Sequence, residues 1–381
     1  MKIDVPVGVV HPALLEPFRI RFLVEDEVIE DCEITFNAAH KGVERILEGL
    51  PIKNANIVTE RVCGICSHIH LWSSCRVTEK TCQINVPERA NYVRVMAAEL
   101  ERLHSHLLFF GHAFEVLGQE TFSYRSFALR ESVMGIMHEF SGNRVHYAVP
   151  VIGGIRPRCD LDDQLVKRIG VMVDGLESGL KSFVERVLDD PLVMSRVSGT
   201  GVLSGKIADE THAVGPVARS SGLKDDWRKE IPEYEDFDFN VVVLKEGDNK
   251  ARIVSRGLEM MESMKVIRQV LEGVPSGPIV SYDKPELDTE FASSYMEAPR
   301  GELYHSLKVD AGGKVRNYRI RTPTTTNLGA VEKACVGDHL TDGMLTVVSC
   351  DPCLCCANRA IVVDAKTGGE RIVDFNGGAL G

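Results

Sequence analysis

The sequence predicts an α+β protein that is mainly α, with a central helical bundle and small peripheral β-sheets. Three observations carry this expectation. The middle of the chain holds long runs with apolar residues at helical spacing, short alternating stretches lie towards both ends, and a Gly-, Ser- and Asp-rich stretch over 197–249 follows neither period. At 381 residues the chain exceeds the usual extent of one domain, which is about 100 to 200 residues, and no linker or repeat divides it. One large domain, or two intimate ones, is therefore expected.

The elements follow in order. FRIRFLVEDEVIEDCEITF alternates around a charged centre and reads as a hairpin or small sheet. Pro87 is suited to the first position of a helix in which Val93, Met96, Ala97, Leu100, Leu103, Leu107 and Phe110 fall on one face. Segments 124–140 and 160–189 have the same character, the second opening on Asp160 as N-cap. The stretch 197–249, with VGPVARSSG and PEYEDFDF, should wrap the bundle before a further helix at about 252–273. GELYHSLKVDAGGKVRNYRI predicts a hairpin turning at Gly312 and Gly313.

Composition excludes several classes. The chain is 44% hydrophobic and 26% charged, and it has no apolar run near the roughly 18 residues that span a bilayer. Membrane association is therefore expected only through partners. Forty-four basic against fifty-five acidic residues give a net charge of −11 with no basic block, so no nucleic acid is expected as ligand. MKIDVPVGVV lacks the pattern of a signal peptide, which makes a cytoplasmic protein the expectation.

The eleven cysteines concentrate the chemistry. Arg61-Val-Cys63-Gly-Ile-Cys66-Ser-His-Ile-His70 holds one CxxC pair, with Gly64 expected to permit a tight backbone. Cys350-Asp-Pro-Cys353-Leu-Cys355-Cys356 holds two overlapping pairs, 350/353 and 353/356, between which spacing does not choose. In a reducing compartment such clusters read as metal ligands or redox thiols. A thioredoxin-type site would need a βαβ context that is missing here. A four-cysteine zinc site fits in ligand count, but its pairs normally lie within a few dozen residues of each other. The remaining cysteines, Cys32, Cys75, Cys82, Cys159 and Cys335, together with Cys350 and Cys355, read as small buried residues. Glu101, His104 and His106 read as polar contacts between helices.

RVCGIC near one end with DPCLCCANR near the other resembles the large, catalytic subunit of [NiFe] hydrogenases. HPALLEP, HKGVERILEG, EAPRGEL and TPTTTN match family motifs in the same order. VGPVARSSG, PEYEDFDF and GDNKARIVSRGLEM also resemble the sister subunit of respiratory complex I. The double likeness points to the energy-converting, membrane-bound branch, and to a hydrogenase large-subunit-like fold.

The resemblance implies a centre of nickel and of iron carrying CO and cyanide, with Cys63 and Cys353 as terminal nickel ligands and Cys66 and Cys356 as bridges. It places Arg300 over the open position, fixed by Asp351 and preceded by Pro299. His70 would donate to a bridging thiolate, and Thr324 and Thr325 would hydrogen-bond a cyanide. H2 would be split heterolytically, its proton passing from Cys353 to Glu16. Glu44 corresponds to a ligand for magnesium or a second iron, although its usual histidine partner is Arg359 here. An iron-sulfur small subunit, integral membrane subunits and ferredoxin are the implied partners, with the protein peripheral on the cytoplasmic face and coupled to ion translocation. The catalytic domain would be 1–359, with 360–381 removed after Arg359 on maturation; as an ordinary tail, VVDAKTGGERIVDF reads as a hairpin. The rival readings are a complex I-type quinone oxidoreductase subunit, which lacks the four cysteines, and a zinc-stapled assembly protein.

Overall fold

The computed structural model describes residues 2–11, 14–36, 41–281, 286–357, 360–363 and 370–373. The chain begins with antiparallel strands β1 (Lys2–Val7), β2 (Arg19–Glu25) and β3 (Val28–Thr35). The expected alternation is present: Ile20, Phe22 and Val24 are buried while Arg19 and Arg21 are exposed. Asp26 and Glu27 form the two-residue turn, both at positive φ (49° and 69°), as the twist of a tight hairpin demands.

Helices α1 (Val43–Leu47), α2 (Ile52–Thr59), α3 (Ser67–Cys82), α4 (Glu88–Val116) and α5 (Glu120–Ser141) come next. All seven expected core residues of α4 are buried, but so are Arg94, Glu99, Glu101, Arg102, His104 and His106 on its other faces. This helix is enclosed on every side, and its polar residues must find partners inside the protein. Pro87 is its N-cap rather than its first helical residue, with ψ at 143°.

The short pair β4 (Pro150–Val151) and β5 (Gly154–Ile155) leads to α6 (Asp163–Asp189). Asp162 caps α6, its carboxylate accepting from the Leu165 amide at 2.7 Å. Asp160, the expected cap, instead accepts from Arg89 Nε at 2.7 Å. α6 buries Leu165, Ile169, Val173, Leu176, Leu180, Phe183 and Val187, the three-and-four spacing of a helix with one solvated face. Short helices α7 (Pro191–Val197), α8 (Gly205–Glu210) and α9 (Gly215–Arg219) punctuate the irregular wrapping segment. α10 (Asn249–Gly273) starts three residues before its expected bound because Asp248 supplies the cap to Ala251 N. α4 packs against α5 and α10, and α6 closes the bundle against both.

A second antiparallel sheet holds β6 (Ala292–Ala298), β7 (Gly301–Val309) and β8 (Val315–Arg321). The β7–β8 hairpin matches expectation. β6 escaped it because ASSYMEA is too rich in small and polar residues to read as a strand. The chain continues through α11 (Pro323–Cys335), α12 (Leu340–Ser349) and α13 (Leu354–Ala357) to the antiparallel hairpin β9 (Ala360–Val363) and β10 (Glu370–Val373). The turn of that hairpin lies outside the described residues. Among the described residues no helix is long and apolar enough to cross a membrane.

Two cores meet near the cysteines. The bundle core includes Cys63, Cys66 and Cys353, while the core beneath the N-terminal sheet includes Cys350 and Leu354. α3 is locked to α4 by a buried bidentate pair, Arg94 Nη2 to Glu79 Oε1 at 2.6 Å and Arg94 Nη1 to Glu79 Oε2 at 3.1 Å. Replacing Glu79 with Ala would strand a guanidinium that is fully buried. The expected loss is about 3–5 kcal/mol in denaturant unfolding, and a loss below about 1 kcal/mol would show that the pair is not a fastening.

Candidate metal centre

The N-terminal sulfurs are set by a turn wound around one of them. Cys63 lies in extended backbone after a turn of 3-10 helix over Glu60–Val62, and Cys66 is the residue preceding α3. Cys63 Sγ accepts from the amides of Ile65 at 3.2 Å and Cys66 at 3.3 Å, a small nest that favours a thiolate. Gly64 is not what permits this turn. It is outside the left-handed region, and an added Cβ would meet only a Val145 methyl at 4.0 Å.

Glu101, from α4, receives the first amides of α3: His68 at 2.6 Å and Ile69 at 3.0 Å. Burial pushes its carboxyl up to about 8 against those amides. His104 meets Arg130 of α5 at 2.7 Å and His106 meets Glu259 of α10 at 2.9 Å. All three are thus contacts between elements, as expected.

The C-terminal pair is held by residues distant in sequence. Asp351 sits in the left-handed region at φ 56°, a conformation that Asp tolerates better than most residues. Thr324 Oγ1 accepts from Cys353 N at 3.0 Å, and Thr322 Oγ1 donates to Cys356 O at 3.2 Å. Glu16 Oε2 accepts from the amides of Leu354 and Cys355, the latter at 3.0 Å, satisfying donors that open α13.

These turns bring Cys63, Cys66, Cys353 and Cys356 together, with Sγ atoms within 4.8 Å of one another. Cys63 and Cys353 are 3.3 Å apart, Cys66 and Cys356 3.4 Å, and Cys353 and Cys356 3.2 Å. Cys350 and Cys355 are left out: Cys350 is buried beneath the N-terminal sheet, and Cys355 is only half-buried. Cys32, Cys75, Cys82, Cys159 and Cys335 are buried, as expected. Hydrogen bonds from Cys353, then from Cys356 and Cys66, hold the Cys63 thiol well below its ordinary range. The Cys356 thiol is pushed well above it, chiefly by its bond with Cys353.

Arg300 is buried beside the sulfurs. Its Nη2 bonds Asp351 Oδ1 at 2.7 Å, its Nε bonds the Asp351 carbonyl at 2.8 Å, and its Nη1 bonds Ser105 Oγ at 2.9 Å. Burial opposes its charge, but Asp351 and then the Cys353, Cys66 and Cys63 sulfurs outweigh burial and hold it well above the ordinary arginine value. Pro299 and Arg300 are the two-residue turn between β6 and β7, closed by the Ala298–Gly301 pair. Gly301 has φ 126°, and at Gly215 a Cβ would stand 2.3 Å from the Arg300 carbonyl oxygen.

His70 Nε2 is 3.7 Å from Cys356 Sγ, and its Nδ1 is 3.0 Å from His305 Nε2; His305 Nδ1 is 2.8 Å from the Tyr318 hydroxyl. Burial lowers His70 to about 4 and holds His305 well below its ordinary range, so both are neutral. With Tyr318 donating to His305, and His305 to His70, one tautomer results, with N–H facing Cys356. Thr325 Oγ1 lies 3.1 Å from Thr322 Oγ1. Glu44 Oε1 accepts from Ile320 N at 2.7 Å. Among the described residues the four cysteines are the one metal-competent cluster, and it does not include Glu44. Arg359 lies outside the described residues.

Sequence reasoning missed Ser105, Thr322, His305 and Tyr318. None has a spacing signal, although His305 lies two residues beyond the EAPRGEL motif and Thr322 opens TPTTTN. Gly215→Ala is expected to lower the unfolding temperature and to displace the Pro299–Arg300 turn, because Arg300 O and Gly301 Cα are backbone atoms that cannot rotate aside. A crystal structure of the variant with Arg300 still on Asp351 would overturn this account.

A family model described as the respiratory-chain NADH dehydrogenase 49 Kd subunit matches residues 117–290 and 286–359. A nickel-dependent hydrogenase model matches residues 41–115, which contain Cys63 and Cys66. The membrane-bound hydrogenase subunit alpha of Pyrococcus furiosus is 33% identical over 95% of this chain and 88% of its own length. The carbon monoxide-induced hydrogenase of Rhodospirillum rubrum is 32% identical over 93% of this chain and 99% of its own length. Among solved structures, a chain of the membrane-bound sulfane sulfur reductase, an archaeal respiratory membrane complex, aligns with a TM-score of 0.88 and 26% identity, covering 94% of this chain and 98% of that one. The chain belongs to the family of [NiFe] hydrogenase large subunits, in the energy-converting, membrane-bound branch related to complex I.

Proposed function

We propose that the chain is the catalytic subunit of a [NiFe] hydrogenase that interconverts H2 with two protons and two electrons. The observation that carries this reading is the convergence of four cysteine sulfurs beneath a buried, charged Arg300. The donor set fits the group: four soft, buried sulfurs suit nickel with low-spin iron. Zinc also accepts four thiolates, but a closed structural site has no use for a buried guanidinium, a histidine chain and a carboxylate gathered round it. When bound, nickel with iron carrying CO and cyanide would supply the redox-active, electrophilic centre at which H2 is split.

The residues then have distinct work. Cys63, Cys66, Cys353 and Cys356 would together hold the nickel and iron through their sulfurs. Arg300, kept charged by Asp351, would present a preorganised dipole to the reacting position in a dry site, and Pro299 fixes the turn that aims it. His70 would direct its N–H at Cys356, supported by His305. Thr324 accepts from Cys353 N, which leaves its hydroxyl proton free, and it would donate that proton to a cyanide together with Thr325. Glu16, bonded to the amides of Leu354 and Cys355 directly after Cys353, would take a proton from that sulfur and pass it outward. Glu44 is the candidate for a magnesium or second iron site.

Electrons would leave through an iron-sulfur small subunit to ferredoxin. The membrane-bound character of the similar hydrogenase and reductase supports integral membrane partners; with such partners the chain would sit peripherally on the cytoplasmic face and be coupled to ion translocation. The match over 117–359 to the 49 Kd subunit favours one alternative, a quinone-linked subunit. Elemental analysis separates the readings: nickel with iron, no metal, or zinc alone.

Ser replacements of Cys63, Cys66, Cys353 and Cys356 are each expected to abolish bound nickel, whereas Cys350→Ser and Cys355→Ser should retain it. Arg300→Lys should keep the metals and lower H2 turnover more than about tenfold, about 1.4 kcal/mol of barrier, because the planar fork on Asp351 and Ser105 is lost. Glu16→Gln should keep the metals and slow hydrogen-isotope exchange. An unchanged rate in either variant removes that residue from the mechanism.

The segment 360–381 would be a maturation peptide, leaving 1–359 as the catalytic domain. In support, β9 and β10 form a sheet of their own, so removing them breaks no described ladder with the body of the protein. Intact-mass measurement of nickel-loaded protein is expected to find a chain ending at Arg359. A mass ending at Gly381 would refute processing.

A further inference from the structure

A second polar cluster lies on the far side of the Arg300 turn and plays no part in the chemistry above. Arg219 bonds Glu259 Oε1 at 2.9 Å and Glu297 Oε1 at 2.8 Å. Arg228 bonds Asp226 Oδ2 at 2.7 Å and Glu99 Oε2 at 3.3 Å. Arg102 bonds Glu99 Oε2 at 3.3 Å and the carbonyls of Glu297 at 2.9 Å and Ala298 at 3.2 Å. Every one of these side chains is buried.

Three guanidinium groups thus face four carboxyl groups. His106, on Glu259, does not make up the difference, because burial lowers it to about 4 and leaves it neutral. Arg256 lies outside the hydrogen-bonded set: its charge is attracted first to Asp351 and then to Glu259, but it stacks on Phe109, donates to the Arg252 carbonyl, and makes no hydrogen bond to the four carboxyls. If all four carboxyls were ionised, the hydrogen-bonded cluster would hold one uncompensated buried negative charge, which costs far more than taking up a proton.

Glu297 and Asp226 both line a cavity of about 460 Å³ whose walls also include Lys224, Asp225, Lys229, Glu230 and Glu302. Of the two, only the Glu297 side chain keeps any exposure, 2% against 0% for Asp226. Trp227 covers it, the backbone N–H donating to Glu297 Oε2 at 3.3 Å and the indole N–H to Glu302 Oε2 at 2.5 Å. Facing Glu297 are Arg219, Asp226 and Arg102, with Glu302 opposite it on β7. The sequence then runs Glu297-Ala298-Pro299-Arg300, and one face of α4 touches the whole segment: Arg102 holds its carbonyls and Ser105, one turn on, holds Arg300.

We infer that Glu297 is a proton-holding positioning residue: it carries the one proton the buried cluster lacks, exchanges it with solvent through the cavity beneath Trp227, and by its charge adjusts how the Arg300 turn is held. Burial raises its carboxyl to about 7 against the pull of Arg219, so the site is partly loaded at neutral pH. Because the folded value lies above the unfolded one, the native state binds the extra proton. Stability from this group is present below the ordinary carboxyl value of 4.5 and is lost as pH rises through about 7.

The test uses the assembled holoenzyme and Glu297→Gln. Infrared difference spectra of the native enzyme should contain a protonated-carboxyl band that titrates near neutral pH, and Glu297→Gln should remove it. The pH dependence of the unfolding midpoint between about pH 5 and pH 8 should flatten in the variant by the equivalent of up to about one proton. These two readouts need no hydrogenase chemistry, so they stand even if that reading fails; an unchanged band or an unchanged slope overturns the site. The third readout is the pH profile of H2 turnover, which rests on the proposed function: it should lose a limb near neutrality in the variant and regain it in Glu297→Asp. An unchanged profile overturns the positioning role. Should Glu297→Gln fail to accumulate, Glu259→Gln tests the same charge count, since removing one negative charge should move the band's titration to lower pH, and an unmoved band refutes the count.

Discussion

Four sulfurs must meet at one point although Cys63 and Cys353 are 290 positions apart. Closing a loop of that length is only modestly dearer than closing a short one, since the entropy grows with the logarithm of length. What is demanding is precision at both ends. The N-terminal turn obtains it locally, from amides wound on Cys63 Sγ and from Glu101 seated on the first turn of α3. The C-terminal turn has no comparable local support. It borrows Glu16 from the N-terminal segment, Thr324 from α11 and Arg300 from the β6–β7 turn. The segment before β2, the start of α11 and the turn of the second sheet therefore each hold a side of the same short loop.

This arrangement explains why so much charge is buried. A loop presented to reactive sulfurs cannot be fixed by apolar packing alone without filling the space above them. Charged hydrogen bonds fix position from one side and leave that space open. Arg300 illustrates this: a fork bound at three points by Asp351 and Ser105 is held by its N–H edges within the electrostatic reach of the sulfurs. Gly215 serves the same end by letting two backbones touch where any side chain would force the turn away.

The legible parts of the sequence were those with a short-range signal. The apolar period of α4, the alternation of β2 and β3 and the glycines of the β7–β8 turn are local rules, and the structure obeys them. The two cysteine turns were legible as motifs, but the choice between 350/353 and 353/356 was not, because both spacings suit a metal and only tertiary packing sends Cys350 beneath the N-terminal sheet. The cap of α6 was misjudged by two residues for a related reason: Asp160, Asp162 and Asp163 are all acidic, and the distant Arg89 engages Asp160 and leaves Asp162 to cap. Thr322 lay within the TPTTTN motif but was not singled out, and Ser105, His305 and Tyr318 were invisible. Each acts through a neighbour remote in sequence, and a lone Ser or His in an amphipathic stretch has no periodicity of its own.

The two family likenesses divide along the chain, and the division carries an argument. The nickel-dependent hydrogenase model matches the stretch containing Cys63 and Cys66, whereas the 49 Kd subunit model matches the stretch containing Arg300, Asp351, Cys353 and Cys356. Fold therefore cannot decide chemistry here, because one bundle serves both kinds of subunit. The deciding feature is narrower. The segment that ends α2 and opens α3 delivers two sulfurs to a loop already supported by Glu16, Thr324 and Arg300. A chain with that support but no sulfurs would keep a buried, charged cleft able to receive a polar substrate. A chain with both presents a soft four-thiolate seat inside the same cleft. The large polar framework is thus a general instrument for holding one loop open in a dry interior, and four sulfur atoms make this copy of it a candidate for metal-dependent hydrogen chemistry.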